Sequence, residues 1–419
     1  MSAQRILHVP RRFVTAEWGG TETVVASLAL EQQRQGMQPE IHTSLALSDR
    51  ARDEWNGVPV RRYGYCYPFF GLNAQQKAQM DKKGGNLLSL PLFAALAGAR
   101  DVRIYHAHAL KRLGGEVFTA ARLRRRPFVV TLHGGVFDVP AAELSQMMEA
   151  QSGKMEWGKI FGALFRSRKI LEEADAVICV GRSEHDHAKK SLSHDRVYHL
   201  GNGVDADRFA QGDGAAFRQE HEIPSDALVL ACYSRLDPQK DQPTLLAAFE
   251  QLAADFPKLH LVIAGPATVQ SYVAQLDERI AASPFRSRIR RLSALPFTGT
   301  GLSDAYHACD IFVLPSRHEP FGIVILEAWS AGKPVVVSRV GGLQNLVSEG
   351  EDGLFFPTGE PSACAAQLRV LLADPAMRES FAARGRVKAR EVYSWRSIAE
   401  ETERIYQRAV ERQEAGSKR

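Results

Sequence analysis

One feature constrains this chain more than any other, and it is an alternation. Short, β-branched, nearly all-apolar runs recur from end to end, bounded by Gly, Pro or polar residues. In the first half they are Arg5–Val9, Glu40–Leu45, Val102–His106, Phe128–Leu132, Ala176–Val180 and Arg196–Leu200. In the second they are Leu228–Tyr233, His260–Ala264, Arg288–Leu292, Ile311–Leu314, Pro334–Ser338 and Gly353–Phe356. Runs such as Leu-Val-Leu-Ala-Cys and Pro-Val-Val-Val lack polar alternation, as strands buried on both faces do. Helical patterns lie between most of them, for example Gly20–Arg34, Pro243–Ala254 and Ser362–Leu372. Strand–helix alternation implies parallel sheets with right-handed crossovers, an α/β fold.

Six strands, a break and six more strands predict two doubly wound, Rossmann-like domains. The break falls at Leu200-Gly-Asn-Gly-Val-Asp205, where two glycines permit a sharp turn, and the polar stretch Gln211–Pro224 follows. The expected domains are residues 1–202 and 203–396. A helix over about 397–412 joins the first domain, and a frayed tail covers Glu414–Arg419. The length of 419 residues accommodates this division. Five scattered cysteines without a CxxC pair argue against a disulfide scaffold or a cysteine-based zinc site, and fit a reduced, cytoplasmic setting. No run of about 18 apolar residues exists, so no membrane-spanning helix is expected, and the first ten residues are too polar for a signal peptide. The net charge of +5 is uneven: residues 1–200 hold 28 Lys+Arg against 20 Asp+Glu, and the remainder 25 against 28. A basic first half suits an anionic substrate or an anionic membrane surface, or is a solvated surface.

Four segments at expected strand ends carry the chemistry. In His318-Glu-Pro-Phe-Gly-Ile-Val-Ile-Leu-Glu327, a helix opens near Gly322. Eight helical residues would separate Glu319 from Glu327 by about 12 Å, so the two could grip two ends of one ligand while the helix N-terminus faces a phosphate. Arg235 and Lys240 follow the strand ending at Tyr233, on the sheet edge where ligands bind in such folds, and could offset a diphosphate. Trp18-Gly-Gly-Thr-Glu22 precedes a helix, and paired glycines let backbone approach a phosphate. In the fourth segment, Val129-Val-Thr-Leu-His-Gly-Gly135, His133 stands at the strand end beside two glycines. Each feature alone is also a common structural one.

Together these segments resemble the retaining glycosyltransferases of family 4, which have the GT-B fold: two Rossmann-like domains facing across a cleft. The matching elements also include Ala174-Asp-Ala-Val-Ile-Cys-Val180, Gly201-Asn-Gly-Val-Asp205, Ile263-Ala-Gly265, Ala331-Gly-Lys-Pro-Val-Val and Gly350-Glu-Asp-Gly-Leu354. The resemblance implies transfer of a sugar, with retention, from a UDP- or GDP-sugar to a glycan or lipid-linked acceptor, in cell-surface polysaccharide or glycolipid synthesis. By that analogy Glu319 holds donor-sugar hydroxyls and backbone at Phe321, Gly322 and Ile323 contacts sugar and phosphate. Glu327 binds the ribose, Arg235 and Lys240 neutralise the leaving diphosphate, and His133 hydrogen-bonds the donor sugar. Gly20 lines the cleft near the phosphates, and Gly19 and His108 stand on the acceptor side. The nucleotide sugar is a co-substrate, and no metal, cofactor or nucleic acid is expected.

The chain departs from the family pattern at three places. Ser234 and Asp241 replace glycines flanking the Arg-Lys segment, and Asn345 replaces a carboxylate after Gly341-Gly342. Weaker signals keep two readings. His106-x-His108 could bind metal, although no third ligand is indicated, or line an acceptor pocket. Arg122-Leu-Arg-Arg-Arg126 could meet lipid phosphate or form a solvated turn. The amphipathic stretch Trp157–Leu171 could pack on its own domain or insert at a membrane interface. Two rival functions are a GT-B sugar-nucleotide epimerase, for which no acid/base set is visible, and a non-catalytic two-lobed sugar-binding protein.

Overall fold

The structure is a computed structural model, and it describes residues 5–15, 18–83, 85–134, 154–296 and 299–417. It divides into two compact units, Met1–Gly201 with Ile398–Arg419, and Asn202–Ser397.

The first unit is built on an eight-stranded sheet of order β3-β4-β2-β1-β5-β6-β7-β8. Its strands are β1 (Arg5–Val9), β2 (Gln38–Ser44), β3 (Arg52–Trp55), β4 (Val58–Tyr63), β5 (Val102–Ala107), β6 (Phe128–Leu132), β7 (Ala176–Cys179) and β8 (Val197–His199). All neighbours are parallel except β3 and β4, an edge hairpin. The expectation of six strands is corrected here. Arg52-Asp-Glu-Trp55 has no apolar run, and the hairpin is made by its turn: Asn56 (φ 46°) and Gly57 (φ 86°) supply the paired positive angles of a two-residue loop. Val58, Val60 and Arg62 then alternate inward.

The second unit carries a six-stranded parallel sheet, β11-β10-β9-β12-β13-β14. Its strands are β9 (Leu228–Tyr233), β10 (Leu259–Ala264), β11 (Ile289–Leu292), β12 (Ile311–Leu314), β13 (Val335–Ser338) and β14 (Gly353–Phe356). Strand order reverses between β9 and β12 here and between β1 and β5 in the first unit. At such switch points the connections diverge and leave a crevice at the carboxyl ends of the strands. The second sheet is covered on one side by Phe321, Trp329 and Tyr306 and on the other by Leu245, Phe249 and Leu368.

The final helix runs Trp395–Ser417, so the expected frayed tail is helical through residue 417. It gives Ile405, Tyr406 and Ala409 to the first unit's core beside Ile6, Ile104 and Val129. The stretch 157–171 is not one amphipathic helix. It forms two short ones, Lys159–Leu164 and Ile170–Glu173, broken at Arg166, whose φ is 53°.

Candidate active site

In the second unit the loop after β9 is held from beneath. Gly265 follows β10 with φ 155°, and a Cβ there would lie 1.8 Å from the Ser234 carbonyl oxygen, so only glycine admits this approach. Buried Gln242 donates from Nε2 to Ser234 Oγ (3.0 Å) and to the Arg235 carbonyl (2.8 Å). The Tyr272 hydroxyl donates to Gln242 Oε1 (2.6 Å). Asp241 stands in the left-handed region (φ 46°) just before the helix Gln242–Ala253. That backbone explains why glycine suits this position, and Asp is among the side chains that tolerate it. Arg235 is half-exposed, with Nη1 3.2 Å from Asp237 and Nη2 donating to Gln239 (3.0 Å). Lys240 turns inward instead: its Nζ lies 2.5 Å from Glu319 Oε2, and the two side chains are 12% and 11% exposed.

Glu319 follows β12, across the switch point from Lys240. Three glycines lock its turn. A Cβ on Gly341 would meet the Glu319 carbonyl at 2.4 Å, one on Gly342 the Pro320 carbonyl at 2.1 Å, and one on Gly322 (φ 97°) the Leu343 side chain at 2.7 Å. The Gly342 N–H donates to the Glu319 carbonyl (2.8 Å). The loop containing Asn345 thus serves as backbone packing for the Glu319 turn. The helix Ile323–Ser330 begins immediately after; the Ile325 N–H donates to the Gly322 carbonyl (3.0 Å), and those of Ile323 and Val324 have no acceptor within the helix.

Only part of the expected helical span between the two glutamates is helical. Helical geometry starts only at Ile323, so Glu327 lies four residues in, about 6 Å of rise. Its carboxylate is buried and accepts from the Tyr306 hydroxyl at 2.8 Å. Burial raises its pKa, opposed by the Tyr306 hydrogen bond. Asp205-Ala-Asp207 is structural: Asp205 caps a short helix by accepting from the Arg208 N–H (3.0 Å), and Asp207 pairs with Arg390 (3.2 Å).

In the first unit, Gly19 precedes the helix Gly20–Arg34, which opens after β1. A Cβ on Gly19 would come within 3.2 Å of Glu22, which Arg12 pairs at 3.0 Å. His133 follows β6. The next N–H, of Gly134, donates to Glu184 (3.1 Å), and Gly135 lies outside the described residues. His108, expected beside an acceptor, is buried and has both ring nitrogens engaged: Nε2 lies 3.0 Å from His8 Nδ1, and Nδ1 lies 3.0 Å from His133 Nε2. His8 Nε2 reaches Gln32 (2.7 Å), and His106 sits between the Tyr406 hydroxyl (2.6 Å) and the Thr131 hydroxyl (2.7 Å). His8 is the third histidine that sequence reading lacked, and the potential ligand atoms of His8, His106 and His108 lie within 4.8 Å of one another. Each of their nitrogens nevertheless already has a hydrogen-bond partner. Burial is the largest cause of low pKa in all four histidines, and it brings His8 and His133 to about 4.

Sequence reading missed Gln242, Tyr272, Tyr306, Glu184 and His8. Only His8, polar between Leu7 and Val9 in a short strand, gave any local signal. Arg122 is not a free surface cation, since it bonds Asp175 (3.1 Å) and the Glu173 carbonyl; Arg124, Arg125 and Arg126 are exposed.

Residues 18–208 match the family Glycosyltransferase Family 4, and residues 213–388 match Glycosyl transferases group 1. A D-inositol 3-phosphate glycosyltransferase of Kineococcus radiotolerans is 28% identical over 95% of this chain and 92% of its own. A glycogen synthase of Mycobacterium tuberculosis is 30% identical over 67% of this chain and 69% of its own. Among solved structures, Anabaena HepE in complex with UDP and glucose superposes with a TM-score of 0.72 at 21% identity, covering 96% of this chain and 99% of that one. The shared fold is GT-B.

Proposed function

Because the chain belongs to glycosyltransferase family 4, the group 1 glycosyl transferases, we propose that it moves a sugar, with retention, from a nucleoside diphosphate sugar to a glycan or lipid-linked acceptor. One observation carries this reading. Arg235 and Lys240 after β9, and Glu319 with the open N-terminus of Ile323–Ser330 after β12, converge on the two sides of one switch point. Cations and free N–H groups suit a departing diphosphate, whose charge they stabilise as it develops. Glu319, touching Lys240, is the carboxylate for the sugar hydroxyls. Backbone at Phe321, Gly322 and Ile323 lies along the sugar and phosphate, and Glu327, oriented by Tyr306, takes the ribose hydroxyls. The first unit offers His133 to a substrate hydroxyl and Gly19 and Gly20 to the acceptor side. His108, shielded from ligand, acts through His133.

No divalent metal is required in this reading, because two cations already serve the leaving group. The test is calorimetry and turnover with uridine and guanosine diphosphates and their sugars, with and without EDTA. Binding of the diphosphate but not the nucleoside, with turnover surviving chelation, is expected. Activity lost to EDTA and restored by magnesium or manganese would overturn the metal-free form.

Membrane contact is part of the same proposal. Met155, Trp157, Ile160, Leu164 and Phe70 are exposed large apolar residues, with Ile160 at 71%, and exposed Lys159, Arg166 and Arg168 stand beside them in sequence. Apolar side chains among cations fit an anionic bilayer surface. Sedimentation with anionic vesicles, lost with neutral ones and in 1 M salt, is expected; indifference to lipid charge would refute it.

A further inference from the structure

Histidines stand at the carboxyl ends of three adjacent strands of the first unit: His8 next to last in β1, His108 just past β5 and His133 just past β6. Their ring nitrogens form one line. It runs from Gln32 Oε1 to His8 Nε2 (2.7 Å), from His8 Nδ1 to His108 Nε2 (3.0 Å), and from His108 Nδ1 to His133 Nε2 (3.0 Å). A neutral imidazole has one N–H and one lone pair, so a single proton position determines every other along the line. Burial keeps these rings neutral near pH 7.

Tyr406 sets the direction. Its hydroxyl lies 2.6 Å from His106 Nδ1, a length typical of O–H rather than N–H donors, and a phenol is the stronger acid of the two. Tyr406 therefore donates to His106, whose Nε2–H donates to Thr131. The Tyr406 oxygen is left to accept from Gln32 Nε2, at 3.4 Å. With its amide nitrogen on Tyr406, Gln32 presents Oε1 to His8 and accepts from His8 Nε2–H. His8 Nδ1 then accepts from His108 Nε2–H, and His108 Nδ1 accepts from His133 Nε2–H. The line ends in a lone pair on His133 Nδ1.

We propose that His8 and His108 are positioning residues that hold His133 as the Nε2–H tautomer, so that His133 Nδ1 accepts a hydrogen bond from a substrate hydroxyl. The proposal rests on the sugar-transfer reading and sharpens it. A sugar with a hydroxyl at this position is accepted. One with a carbonyl, a carboxylate or no oxygen there meets an unpaired acceptor and is rejected.

The test uses the full chain labelled with ¹⁵N-histidine. Two-bond ¹H–¹⁵N spectra at pH 7 report each ring's tautomer, and loss of one signal in His133→Asn assigns His133. The expected result is Nε2–H at His8, His108 and His133, with the His133 Nδ1 signal moving when a nucleotide sugar is added but not with the nucleoside diphosphate alone. Gln32→Glu then reverses the line from three residues away. A carboxylate there favours a charged His8, which donates from both nitrogens and forces Nδ1–H on His108 and His133. Gln32→Glu should lower kcat/KM at least tenfold while nucleoside diphosphate affinity stays unchanged. An Nδ1–H His133 in the unsubstituted protein overturns the proposal, as does a reversed tautomer in Gln32→Glu with undiminished kcat/KM. If Gln32→Glu does not fold, the tautomers of the unsubstituted protein still decide. An Nε2–H line in a protein that turns over no donor supports the relay and refutes the sugar-transfer reading instead.

Discussion

Removing either member of the Lys240–Glu319 pair should cost stability, and removing both should restore it without restoring turnover. The pair is close (2.5 Å) and each side chain is only about one-tenth exposed. Taking away one partner of such a pair strands a poorly solvated charge, at a cost of about 3 kcal/mol, the low end for buried pairs because some solvent access remains. At roughly 2–4 °C per kcal/mol for a unit of this size, Lys240→Met or Glu319→Gln lowers its melting temperature by about 6–12 °C. The double variant Lys240→Met/Glu319→Gln leaves no stranded charge. It should lie within about 1 kcal/mol of the parent, so about 5 kcal/mol short of the sum of the singles, well beyond the roughly 0.5 kcal/mol scatter of independent sites. Turnover behaves differently. Losing a preorganised charge aimed at a leaving group costs about 10²–10³ in kcat, and the double variant lacks both groups. Differential scanning calorimetry of the four proteins, beside steady-state kinetics, makes the comparison. Additive stabilities, or turnover that returns in the double variant, would refute the reasoning.

Two further outcomes follow from buried carboxyls. Burial raises the Glu327 pKa, so its folded form holds a proton above pH 4.5 that the unfolded chain has released, and stability falls as pH rises through that window. Glu327→Gln should therefore melt at or above the parent temperature at pH 7 yet raise KM for the donor more than it lowers kcat; a normal KM would assign Glu327 to packing alone. Glu116 is fully buried, with Oε1 accepting from the Ser89 N–H (2.8 Å), and burial pushes its pKa to about 8. The folded state loses stability between about pH 4.5 and 8, by about 1.4 kcal/mol per pKa unit, so Glu116→Gln should raise the melting temperature more at pH 8 than at pH 5. Equal gains at both pH values would contradict this.

How much of this was legible in the sequence depends on what holds each part. Strands such as Leu228–Tyr233 and Val335–Ser338 are read easily, because burial on both faces leaves only apolar residues. Arg52–Trp55 was hidden because a solvated edge strand needs no apolar run. Its partner hides a charge inside: Arg62 is buried and donates from Nη2 to the Phe13 carbonyl (2.9 Å). The site segments could be placed at strand ends from chain order alone, but their pairings could not. Lys240 and Glu319 are 79 residues apart and meet only because β9 and β12 are neighbours. His8, His108 and His133 likewise depend on the order β1-β5-β6, and Tyr306 reaches Glu327 from a different helix. Asp241 was visible as a departure from glycine, whereas its left-handed backbone was not.

Sugar transfer with retention is tested most directly by following the anomeric proton of the released sugar. The protein is incubated with α-linked UDP- and GDP-sugars in the absence of acceptor, so that water takes the sugar slowly, and ¹H NMR records the first-formed anomer before mutarotation. The α-anomer should appear first, together with free nucleoside diphosphate, and Lys240→Met should slow both together. The β-anomer appearing first would contradict retention, and absence of diphosphate release from every donor would contradict transfer itself.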